Sequence, residues 1–151
     1  SYRTLELNMN LEREIIVACE TGDKKGISAA IAAGENMNFV FQGTGQTPLT
    51  ASIKFRQYAL VESLIYKGKA DVNLPNAEGQ TPLHVICLAS EEELLSTRRL
   101  FGVGKGQVMA TILRNHPNIN AQDMRGRTPL HYAVICGERN YIKQLFRSGK
   151  K

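Results

Sequence analysis

Gly45-Gln46-Thr47-Pro48-Leu49-Thr50, Gly79-Gln80-Thr81-Pro82-Leu83-His84 and Gly126-Arg127-Thr128-Pro129-Leu130-His131 are near-copies of one phrase. The first two begin 34 residues apart and the last two 47 apart. The chain is therefore one repeated unit of roughly 33 residues, with one spacing enlarged by an insertion. The phrase has a local physical meaning. Glycine reaches turn conformations that a side chain makes costly. A threonine two places later accepts a bond from the free amides of a new helix, and proline suits the first helical position. Each copy predicts a helix start, with Leu49, Leu83 and Leu130 as the first apolar anchors.

A second pattern follows in register. Val61, Leu64, Ile65 and Gly68 lead to Ala70-Asp71-Val72-Asn73, and Met109, Ile112, Leu113 and His116 lead to Pro117-Asn118-Ile119-Asn120. The i, i+3, i+4 spacing is that of a helix burying one stripe. Gly68 stands where a left-handed cap would stop that helix, and His116 must tolerate the same conformation. Asp-Val-Asn and Asn-Ile-Asn supply turn chemistry leading into the next phrase.

Helix, turn, helix and a projecting β-turn opened by Thr-Pro-Leu-His resemble the ankyrin repeats, and three copies share one register. The resemblance covers nearly the whole chain. It implies an all-α solenoid of stacked helix-turn-helix units with projecting β-turns, forming one domain over residues 1–151. Residues 1–10 are an N-terminal extension, 11–44 a cap-like first repeat, 45–78 the second, 79–125 the third and 126–151 a fourth, truncated repeat. The first repeat lacks Thr-Pro-Leu, but Ile15, Ala18, Gly22, Ile27, Ala30 and Gly34 align with Leu130, Ala133, Gly137, Ile142, Leu145 and Gly149.

The insertion is expected at about 91–105. Ser90-Glu91-Glu92-Glu93 reads as a capping box, and Leu94, Leu95, Leu100 and Phe101 as the apolar side of a short helix. It is either a tolerated loop or a second contact surface. The glycine cluster at 101–107 lacks the spacing, the following Ser or Thr and the preceding strand of a phosphate-cradling loop, so it reads as a flexible connector.

The remaining chemistry is sparse. By the resemblance, His84 and His131 bond backbone or threonine groups between neighbouring turns, and His116 has no acidic or cysteine partner at ligand spacing. No catalytic residue, metal site or cofactor is expected. Cys19, Cys87 and Cys136 are odd in number, lack a Cys-x-x-Cys pair, and read as buried core thiols. No apolar run approaches the roughly 20 residues a membrane span needs, and no apolar signal core opens the chain. An intracellular protein is expected, cytoplasmic or nuclear, or in a host cytoplasm if it is a bacterial effector.

Residues 1–78 carry 8 Lys or Arg against 9 Asp or Glu, whereas 79–151 carry 11 against 5. The basic half favours a protein partner with an acidic surface through steering. Nucleic acid, membrane and small-molecule substrates are not expected. The resemblance places a partner on the concave face of turns and first helices. The residues flanking the turns are 39–44, 74–78 and 121–125, and with the first helices they give the partner-binding candidates Phe39, Phe41, Lys54, Phe55, Glu78, Met124, Arg125 and Tyr132. The function expected is a non-catalytic protein-interaction module. The alternative is the targeting segment of a larger enzyme or bacterial effector. Leu145 and Phe146 are apolar for a terminal cap, which suggests a neighbour covering them.

Overall fold

The computed structural model describes residues 2–89 and 104–149. Seven α-helices run through them: α1 (Tyr2–Thr21), α2 (Lys24–Ala32), α3 (Pro48–Lys54), α4 (Pro82–Leu88), α5 (Lys105–Arg114), α6 (Pro129–Ile135) and α7 (Arg139–Gly149). A 3-10 turn at Tyr58–Leu60 and a π-helical turn at Ser63–Lys67 take the place of a helix after α3. Three helices begin at the proline of the repeated phrase, as its chemistry requires. Gly45, Gly79 and Gly126 ahead of them have φ of 73°, 77° and 75°, a region that a β-carbon disfavours.

The first helices stack in a row, α1 on α3, α3 on α4 and α4 on α6. The second elements form an outer layer: α2 packs on α1, the two turns on α3, α5 on α4 and α7 on α6. Ile16, Ile27, Leu49, Ile53, Leu64, Leu83, Ile86, Met109 and Ile112 fill the space between the layers and are fully buried. The whole of Tyr2–Thr21 is one helix, so residues 2–10 continue α1 beyond its packed part, and Tyr2, Leu5, Leu7 and Met9 are exposed. Leu145 proves buried, which corrects the expectation that it needs an outside neighbour; Phe146 remains exposed.

One local expectation shifts by a residue. Gly68 is right-handed, with φ −82°, and the left-handed residue is Lys69, with φ 56°. Its counterparts are Gly34 (φ 78°) and His116 (φ 51°). Ile65 to Asp71 is one residue longer than Leu113 to Asn118. The π turn absorbs the extra residue: the Gly68 amide bonds the Ser63 carbonyl, five residues back, at 2.9 Å.

Between units runs a ladder of hydrogen bonds. Asn38 Oδ1 accepts the Asp71 amide at 2.8 Å, and Asn73 Oδ1 accepts the Asn118 amide at 2.7 Å. Nearer the turns, the Ala77 amide donates to the Gly45 carbonyl and the Met124 amide to the Glu78 carbonyl. Each unit therefore satisfies backbone groups of the next, which fixes the register between them. The insertion's proposed capping box and apolar helix at 90–101 lie outside the described residues.

Candidate functional site

Three short turns project from the array. Across the base of each runs an amide-to-carbonyl bond: Phe41 to Gln46, Asn76 to Gln80 and Asp123 to Arg127. The first turn spans one residue more than the other two. Asn76 Oδ1 accepts the Glu78 and Gln80 amides, and Asp123 Oδ1 accepts those of Arg125 and Arg127. Phe41 holds the equivalent place in the first turn and offers no acceptor. Its ring instead folds down over Gly43, so close that a β-carbon there would lie 2.6 Å from it.

Phe41 is therefore buried, which corrects the expectation of an exposed anchor; Phe39 is half-buried and packs against the core. Tyr132 is corrected for a different reason. It is 4% exposed, its hydroxyl donates to Asp123 Oδ2, the Arg127 guanidinium sits 5.7 Å from its ring centre, and the edge of His84 packs at 5.9 Å. A ring held on three sides presents no surface to a partner. Burial raises the Asp123 carboxyl, but the Tyr132 hydroxyl and the two backbone amides outweigh it and hold it below the usual range. Burial and that carboxylate push the Tyr132 hydroxyl up. Tyr132→Phe is expected to cost about 1–3 kcal/mol by leaving Asp123 Oδ2 unpaired, measured as a lowered urea midpoint.

The other five candidates are exposed. Lys54 and Glu78 line one groove of about 350 Å³, together with Gln46, Arg56, Gln80, Val85, Leu88 and Ala89. The groove thus runs from two turns to the ends of α3 and α4. Phe55, 45% exposed, follows Lys54 in sequence, and Met124, 78% exposed, is tied to the Glu78 carbonyl through its own amide. Arg56 was missed by sequence reading. It has φ 61° where the same position elsewhere is Gly22 (79°) or Gly137 (69°), and that 34-residue offset was the signal available.

His84 is fully buried. Its Nδ1 accepts from the Thr81 amide at 3.1 Å, so Nε2 carries the proton and donates to the Arg127 carbonyl at 2.8 Å. Burial lowers its pKa and keeps it neutral. In the second repeat Thr50 stands in this place. It makes a reciprocal cap with Thr47, at 3.0 and 2.8 Å.

Lys105 corrects the reading of the glycine cluster as connector. It opens α5 and is 5% exposed, with Nζ 2.7 Å from Glu138, donating to the Ala89 carbonyl and lying 4.8 Å from the Tyr141 ring centre. Cys19 and Cys87 are buried thiols, pushed up by burial to about 11 and about 12, whereas Cys136 is exposed, contrary to expectation. Among the described residues no group of three or more His, Cys, Asp or Glu is placed to hold a metal ion, and no helix is long and apolar enough to cross a membrane.

The family model described as ankyrin repeats (3 copies) matches residues 15–97, and a single ankyrin repeat model matches residues 125–150. The chain belongs to the ankyrin-repeat family. Ankyrin repeats are in general protein-protein interaction modules. This ankyrin-repeat chain is also similar to the ankyrin repeat protein YahD of Escherichia coli (strain K12), 30% identical over 86 residues. That match covers 57% of the chain and 42% of the relative's own length.

Proposed function

We propose that the chain is a non-catalytic binding module that takes a partner protein along the groove between turns and first-helix ends. Lys54, Phe55, Glu78, Met124 and Arg125 make the contacts. The observation that carries this reading is the groove itself, with Lys54 and Glu78 in one concavity and exposed Phe55 and Met124 close by. An exposed apolar group beside charges that lose water on binding is the pattern of an interface hot spot.

The charge balance supports a partner with an acidic surface. The excess of Lys and Arg lies in residues 79–151, and Arg125, Arg139 and Arg147 are exposed there. Such charges raise the association rate and make it salt-dependent more than they deepen the complex. A second reading keeps the same face but places it in a longer protein, as the targeting part of an enzyme or effector. The apolar end of the array, described next, favours it.

The test is substitution at the face. Phe55→Ala and Met124→Ala are each expected to weaken a captured partner roughly tenfold or more, with the melting midpoint held within about 1 °C because both side chains are exposed. Tyr66→Ala, on the outer layer, serves as control. Unchanged affinity in both face variants would refute the proposal.

A further inference from the structure

The last helix pair ends the array on a face that is not finished as a cap. Register shows what each position does inside the array. Ile53 and Cys87 share one position of their first helices, and both are fully buried; Val134 holds that position in α6 and is 59% exposed. Next to it Ile135 is 66% exposed, and Phe146 of α7 is 57% exposed. A terminal unit ordinarily turns polar residues outward at such places.

The hydrogen-bond ladder stops on the same face with its acceptors and donors in place. His84 uses Nδ1 to cap its own helix and Nε2 to reach the next turn. His131 caps Thr128 with Nδ1 at 3.0 Å, is exposed, and has no Nε2 partner among the described residues. The carbonyl of Arg125 stands in the place of the Glu78 carbonyl, which accepts the Met124 amide.

We infer that this face receives a further repeat unit of the same kind, continuing the array in cis. Its turn supplies a carbonyl to His131 Nε2 and an amide to the Arg125 carbonyl, and its first helix covers Val134. A second copy of the chain fits less well. The helix it would present is α1, which has no turn ahead of it among the described residues to meet those two groups. Gly149 stands at the register of Gly34, Lys69 and His116, each of which leads directly into the next unit, so the connection in cis has the right length. The inference is independent of where the partner binds.

The experiment fuses a second copy of residues 117–149 directly after Gly149 and follows thermal melting and amide exchange. The midpoint is expected to rise by about 5 °C or more, and exchange within α6 to slow about tenfold or more. Val134→Asp with Ile135→Asp is expected to abolish both gains in the fused chain and to shift the unfused chain by about 1 °C or less. An unchanged midpoint, or a gain that survives the double substitution, overturns the inference. Concentration-dependent self-association of the unfused chain, abolished by the same pair, overturns it too by giving the face to a second copy.

Discussion

Lys105→Ala is expected to destabilise the chain by about 3–5 kcal/mol, the largest effect of any single substitution proposed for it. The ammonium lies 2.7 Å from Glu138 and also donates to the Ala89 carbonyl, with both side chains largely enclosed. Removing the cation leaves a carboxylate and a carbonyl without their partner in a place water reaches poorly, and that loss exceeds the value of an exposed pair. Removing both charges is a different matter. Lys105→Met with Glu138→Leu is expected to lose much less than Lys105→Ala, because no buried charge is left unmatched. Urea unfolding of the single and double variants measures both, and a double variant as unstable as the single would contradict the reasoning. The arrangement also explains the position of Lys105: it ties the end of α4, the start of α5 and the approach to α7 together across the insertion.

His84→Ala is expected to cost about 3 kcal/mol, from the cavity and from the orphaned Thr81 amide and Arg127 carbonyl. The melting midpoint should then fall by roughly 6–12 °C. Because His84 bonds the fourth unit's turn from the third, its loss weakens one interface of a quasi-linear stack. Amide exchange in residues 129–149 should accelerate more than exchange in α1 and α2. The pH dependence has a definite sign. Burial lowers the folded-state pKa below the ordinary histidine value, so the unfolded chain binds the proton more readily. Stability from this group is full above about pH 6.5 and is lost as pH falls below that toward the folded value. The acid-side slope attributable to His84 should vanish in His84→Gln, and an unchanged slope between pH 7 and 5 would exclude a neutral, buried imidazole.

The fold was legible because its signals are local. A left-handed glycine, a threonine cap and a proline at the first helical position act within five residues, and Gly45, Gly79 and Gly126 adopt the expected conformation. The displaced cap at Lys69 was within reach of the same reading: the extra residue between Ile65 and Asp71 is countable in the sequence, but a π turn as its remedy is not. The candidate face was legible only where exposure follows from position. Lys54 ends a first helix and Glu78 sits on a turn tip, and the two line one groove. Phe41 and Tyr132 were misread because their burial depends on Gly43 beneath one ring and on Asp123, Arg127 and His84 around the other. Lys105 was misread for the same reason, since Glu138 lies 33 residues away. A partner at that distance leaves no local mark, and glycines on both sides make the stretch read as a connector.

The groove between turns and first helices is the centre of the account. Photo-cross-linking tests it most directly: a photoreactive residue is placed singly at Phe55, at Met124 and at Tyr66, and the adducts formed with the captured partner are compared. Adducts to the same partner from Phe55 and Met124, with none from Tyr66 on the outer layer, are predicted. Adducts from Tyr66 with none from the other two positions would contradict the account and move the binding surface to the outer helices.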